Sequence, residues 1–258
     1  MILISGLVVG LNSLVGGSLR KSTAARESAY SDFALDSSLE IGHAIILGNI
    51  TLSATEPSRI VFNGSPIICN FDKDFASVLR IQDVAGLVDL RLAPDEVLTP
   101  LLQAFLKQNV TRALLVTIRE NAQSGGFISA DDVLIASGLT AEEAEWVSAY
   151  STIHGRNHRL ARDVTPIELQ SLLEIGGAGT SQIFGASPTN ATYKIETFSK
   201  SRRSRDAYSV AVVSFDQANG LTFSRIFEKR RGRRSVAGRE LESFLQVKVS
   251  SGLTCSKT

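Results

Sequence analysis

Apolar and polar positions recur with two different periods along this chain, and the change of period divides it into three. From Leu39, "LEIGHAIILGNITLSA" is dense in β-branched and apolar residues and reads as strand. "RIVFNGSPIICNF" sets Asn63-Gly64 between two apolar runs, a pair that favours the positive φ angles of a hairpin turn. Pro66 lacks an amide hydrogen, which predicts an edge position for the returning strand. "GLVDLRL" alternates Val88, Leu90 and Leu92 with Asp89 and Arg91, the pattern of a half-buried strand.

After Pro94 the period lengthens. Val97, Leu101, Leu102 and Phe105 share one helical face, behind acidic residues that suit a helix N-terminus. "TRALLVTIREN" fits helix or strand. Ser129 and Gly138 bracket a short helix, Thr140 and Glu143 form a capping box for the next, and Thr165-Pro166-Ile167-Glu168 predicts another start. Period two returns in "YKIETF", "AYSVAVVSF" and "LTFSRIF", and again in "FLQVKV". The fold class is therefore α+β, with β-rich N-terminal and C-terminal regions flanking a central helical segment and a C-terminal antiparallel β-meander. The expected divisions are an apolar arm and connector (1–38), a β-then-α region (39–175), a glycine-rich loop or linker (176–192) and a basic β region (193–258).

The first stretch resists both periods. Ile2, Leu3, Ile4, Leu7, Val8, Val9, Leu11, Leu14 and Val15 crowd together, interrupted by glycines and Asn12-Ser13. No basic residue precedes them, so a cleaved secretory signal is not expected. The interruptions also depart from the roughly 20 apolar residues of a spanning helix. The expectation is a buried arm or strand that docks on a partner, with membrane anchoring through 1–19 as the alternative. Residues 20–38 read as a short helix or connector.

Charge changes the picture more than composition does. Of 258 residues 43% are hydrophobic, ample for a packed core, and the formal net charge is only +1. That total conceals segregation: 194–239 holds 12 basic and 4 acidic residues, whereas 1–193 holds 13 and 20. The basic residues cluster at Lys200, Arg202, Arg203 and Arg205, and at Lys229, Arg230, Arg231, Arg233 and Arg234. A hairpin closing near 216–220 brings Arg205 beside 231–234, merging the two clusters into one basic patch. Such a patch calls for an anion: an acidic protein surface or a nucleic-acid backbone.

Catalytic signatures are wanting. His154 and His158 have helical metal spacing, but Gly155 and Asn157 lie between them and no acidic or cysteine ligand follows at the expected interval. There is no nucleophile elbow, and "EIGGAGTSQIFG" lacks the lysine of a phosphate loop. No cofactor and no metal are expected. Glu142, Glu143 and Glu145 would repel phosphates if the helix they open read DNA. Cys69 and Cys255 make no framework; the two could pair, which the sequence does not decide, and a reducing compartment is the simpler reading.

These features point to a non-enzymatic structural or assembly subunit of a large complex. A viral or bacteriophage particle is the expected setting, located in a virion or a cytoplasmic assembly. Its partners would be other protein subunits, copies of itself among them. A sequence-independent nucleic-acid-binding module is the alternative function, and a membrane-associated protein the second.

Overall fold

A computed structural model of the chain describes residues 2–51, 60–72, 75–106, 109–155, 157–175, 183–185, 192–201, 207–216, 222–232 and 254–255. One helix, α1, runs from Ile2 to Thr51, about 75 Å at 1.5 Å per residue. The apolar arm, the connector and the first expected strand are thus one continuous helix. The reason lies in spacing: Leu35, Leu39, Gly42, Ile46 and Asn49 recur every three or four positions, and all are buried. Local β-branched content suggested a strand from Leu39, and this helical stripe overrides it.

The strands β1 (Asn63–Asp72), β2 (Phe75–Asp83), β7 (Thr192–Ser201), β8 (Ala207–Asp216), β9 (Thr222–Gly232) and β10 (Thr254–Cys255) form one six-stranded sheet. Their order is β10-β1-β2-β7-β8-β9. All neighbours are antiparallel except β10, which runs parallel to β1. The two β regions therefore share a sheet, joined where β2 pairs with β7 from Asp83–Tyr193 to Phe75–Ser201. The expected meander is present as β7-β8-β9. Asn63-Gly64 does not close a hairpin. Gly64 has φ +80° and lies within β1 at a register shift, while the Asn63 carboxamide accepts from the Ser65 amide. The chain reverses instead between Asp72 and Phe75.

Between β2 and β7 sits a helical insert. Its helices are α2 (Asp95–Phe105), α3 (Arg112–Gln123), α4 (Ala130–Ala136), α5 (Ala141–Ala149) and α6 (Ile167–Ile175). Short pairs stitch it together: β3 (Val88–Asp89) with β4 (Ser151–Thr152), and β5 (Leu160–Ala161) with β6 (Phe184–Gly185). Only two residues of "GLVDLRL" pair as strand, and both faces are buried. The Ser129 cap and the Thr140–Glu143 capping box form as expected. The Thr165 hydroxyl, expected at the start of α6, donates to the Ala161 carbonyl. The insert has its own core of Leu, Ile and Val, on which Phe105 stacks with Trp146 and Tyr150 at 6.1 and 5.6 Å.

The sheet is apolar on both faces, as the doubled pattern of β8 implies. Ala211, Val213 and Phe215 join Leu79, Ile81 and Ile195 under α1. Tyr208, Val210 and Val212 join Val78 and Phe198 on the reverse face. Gly42 allows α1 its close approach: a Cβ there would lie 3.1 Å from Ile195 Cγ2. Cys69 is opposite Cys255 in the β1–β10 pair and is disulfide-bonded, and the chain has only these two cysteines. Of the two readings left open for the cysteines, pairing is the one realised at Cys69.

Candidate assembly surface

The path of α1 across the sheet decides what the chain offers a partner. The Ser38 and Ser199 hydroxyls lie 3.2 Å apart, Gly42 faces Ile195, and Asn49 exchanges hydrogen bonds with the Ile60 backbone. The helix therefore runs antiparallel to β7. Its second half packs on the sheet. Residues 17–33 are exposed apart from half-buried Glu27, with Ser31 not described, and Leu19 and Phe33 are 63% and 68% exposed. This free half leaves the domain at the sheet end where β7 finishes and β8 begins. The helical insert hangs from the opposite end, where β2 finishes and β7 starts.

The sequence-predicted arm residues Ile2, Leu3, Ile4, Leu7, Val8, Val9, Leu11, Leu14 and Val15 occupy the outermost turns of the free half. They belong to a helix and not to a strand. Of the basic residues, Lys200 lies on β7 and Lys229, Arg230 and Arg231 on β9. Arg202, Arg203, Arg205, Arg233 and Arg234 lie outside the described residues. The β8–β9 register sets Tyr208 opposite Arg231 and Ala207 opposite Gly232. Position for position, the described members of both clusters reach one end of the sheet, the end from which α1 departs.

A second constellation was invisible in the sequence. Glu196 is buried on the reverse face, where its carboxylate meets Lys194 Nζ at 3.1 Å, Arg80 at 3.9 Å and the donating Tyr208 hydroxyl at 3.1 Å. Lys194 also donates to the Ser148 carbonyl at 2.9 Å, near the C-terminus of α5, where the helix dipole favours a cation. Burial alone would raise the Glu196 pKa, but the charges of Lys194 and then Arg80 outweigh it and hold the carboxyl below its ordinary range. Cavities of about 40 and 150 Å³ flank the cluster, the smaller lined by buried Ser151, whose hydroxyl has no protein partner. The smaller suits bound water. Lys194 bridges the Glu196 carboxylate of the sheet and the Ser148 carbonyl of the insert, so the cluster pins the insert to the sheet. It could not have been found without knowing that β2 pairs with β7.

The histidines are likewise engaged. His154 Nε2 lies 2.9 Å from the Ile128 carbonyl and His158 Nδ1 3.0 Å from that of Leu92, on a segment that is not helical. Burial lowers the His154 pKa. Among the described residues no group of three or more potential ligands could hold a metal ion, and no helix is long and apolar enough to cross a membrane.

This fold has a solved counterpart. One chain of a crystal structure described as the GspK-GspI-GspJ complex from the enterotoxigenic Escherichia coli type 2 secretion system matches it with a TM-score of 0.54. Identity is 9%, and the match covers 80% of this chain and 99% of that one. No family model and no curated protein matches the sequence. The counterpart belongs to a bacterial secretion complex, which overturns the expectation of a viral or bacteriophage particle component. That expectation rested on an arm and a charged loop, features common to many assemblies. What stands is coarser: the counterpart is a subunit of a multi-protein complex.

Proposed function

We propose that this chain is a non-enzymatic subunit of a multi-protein, secretion-type assembly, held in place by the free half of α1 packing against neighbouring subunits. The observation that carries the reading is the divided helix. Residues 34–50 bury a stripe on the sheet, while 17–33 extend beyond any cover within the described chain. Large side chains such as Leu19 and Phe33 each gain about 1.5–3 kcal/mol when covered. Neighbouring helices can supply that cover. The likeness to a chain from a secretion complex supports this setting. The satisfied state of Lys194, Glu196 and Tyr208 supports a structural role for the most polar interior site. The Cys69–Cys255 disulfide favours assembly in an oxidising compartment.

Deleting residues 2–30 tests the proposal, because the described part of that segment adds nothing to the buried core. In its native host the shortened chain should accumulate with the far-UV spectrum and melting behaviour of a folded sheet-and-insert domain. It should no longer co-purify with partner subunits. Full recovery of partners with the shortened chain would rule out docking through α1.

A further inference from the structure

We infer that α1 is jointed to the sheet: the stretch from Gly42 to Asn49 is an anchor, whereas the contact around Ser38 opens, so that the free half of the helix swings relative to the sheet. The inference goes beyond the subunit reading, because the joint belongs to this chain alone. Where that reading holds, the swing lets the free half meet neighbouring helices at more than one angle.

The basis is a change of chemistry along the face of the sheet beneath α1. Side chains alternate between the two faces of a strand, so the face that buries Leu79 and Ile195 also carries Ser77, Thr197, Ser199 and Ser209. Toward the insert this face is apolar. Toward the end from which α1 departs it is lined with hydroxyls. Register sets these side by side: Ser77 is opposite Ser199, and Thr197 is opposite Ser209. All four are buried, and buried Ser38 joins them from the helix.

The two ends hold the helix unequally. At the anchor, Ile46 enters the apolar cluster of the sheet, Gly42 brings the backbone close to Ile195, and Asn49 makes two hydrogen bonds with the Ile60 backbone, at 2.9 and 2.6 Å. Leu39 is the last residue of that cluster toward the exit; among the described residues, Ala34 and Leu35 are buried but stand outside it. At the joint, the Ser38 and Ser199 hydroxyls meet at 3.2 Å, while Ser38 also donates to its own helix at the Ala34 carbonyl. The Ser77 and Thr197 hydroxyls have no partner among the described residues. A buried hydroxyl without a partner is costly, because the hydrogen bonds it made to water are not replaced. Lifting α1 at Ser38 returns water to both groups. Lifting it at Ile46 exposes apolar surface and breaks both Asn49 bonds. The contact therefore resists opening at one end and loses little by it at the other.

Pulsed electron paramagnetic resonance on the isolated full chain measures the swing, with spin labels at Ser28→Cys and Ser224→Cys, both exposed positions. Ser28 lies about 21 Å of helix from Gly42, so a swing of about 20° moves it by about 7 Å. The control pair, Ala44→Cys with Ser224→Cys, should give a narrow distance distribution, because Ala44 sits at the pivot. The 28–224 distribution should be several-fold broader. S77A/T197V removes the two unpartnered hydroxyls and should roughly halve that breadth. Ser38→Ala removes the link to Ser199 and should increase it. If S77A/T197V misfolds, Thr197→Val alone carries the same expectation. A 28–224 distribution as narrow as the control would overturn the inference. So would a broad one that the folded S77A/T197V chain leaves unchanged, since the motion would then lie in bending of α1 itself. The subunit reading fails separately, by full recovery of partners with the chain lacking residues 2–30.

Discussion

Lys194→Met probes the joint between sheet and insert. Lys194 Nζ lies 3.1 Å from Glu196 and 2.9 Å from the Ser148 carbonyl, with side chains 11% and 9% exposed for Lys194 and Glu196. Removing the ammonium leaves a buried carboxylate, facing Arg80 at 3.9 Å and the Tyr208 hydroxyl, and a buried carbonyl short of a donor. Breaking a buried pair from one side costs about 3–5 kcal/mol. The low end applies here, because Arg80 remains. Glu196→Gln removes the other side and leaves two cations facing a neutral amide, for a loss of similar size. The double variant should fall short of the summed losses by about 1–3 kcal/mol, since the second change removes the group the first left unpaired. Urea unfolding of the full chain at pH 7 with linear extrapolation measures all three.

The acid dependence supplies a second readout. The folded Glu196 pKa lies below its ordinary value of 4.5. Its contribution is therefore present above about 4.5 and lost as pH falls through the lower folded value. Burial is already the largest single influence on this carboxyl, and without Lys194 only Arg80 and the Tyr208 hydroxyl oppose it, so stability at this site should instead grow on acidification. Single losses under about 1 kcal/mol, or losses additive within about 0.5 kcal/mol, would refute the view that this cluster pins the insert.

Three further outcomes follow, two of them from the same junction and one from α1. Burial raises the Asp83 pKa from 3.8 to about 6, the Ala85 amide opposing and Asp163 reinforcing the rise. The folded state thus holds an extra proton between these values. The associated stability is present below about pH 4 and lost as pH rises through 6, at about 2–3 kcal/mol. Asp83→Asn should abolish that decline in urea unfolding at pH 4, 5.5 and 7. An unchanged decline would place its source elsewhere. Gly86→Ala should cost about 3 kcal/mol or more, since a Cβ would stand 2.2 Å from the Val164 carbonyl oxygen, with backbone on both sides. Gly48→Ala, with open space around it, should change thermal stability by at most about 1 kcal/mol in the favourable direction. A Gly86→Ala protein melting like the wild type would contradict the close crossing.

Where local chemistry decides the backbone, the sequence was readable. Ser129, Thr140 and Glu143 announce helix starts through their own hydrogen bonds, and the two apolar sets of β8 announce two buried faces. The β8–β9 pairing followed from strand lengths and a turn. Two features depended on partners far along the chain. Helix α1 was misread because its isoleucines favour strands locally, while the stripe from Leu35 to Asn49 matters only once a sheet is there to receive it. Asn63-Gly64 makes a bulge because β1 continues through it. Of the candidate surface, the β8–β9 pairing that carries Lys229, Arg230 and Arg231 to the end where β8 begins was legible. Their placement beside the free helix was not, since no local pattern gives the direction in which α1 crosses β7.

The insertion point has a consequence for how the molecule forms. Asp83 and Tyr193 are register partners although about 110 positions apart, and the chain between them builds a separate core. Closing so long a span before anything within it is ordered delays strand pairing, because the entropy of loop closure comes first. The contacts inside the insert are shorter in range, so the insert can order early and bring its two ends together. The pairing of β2 with β7 then becomes an ordinary hairpin whose turn happens to be a folded module. Insert length can therefore vary without disturbing the sheet, provided the two ends still meet at Asp83 and Tyr193.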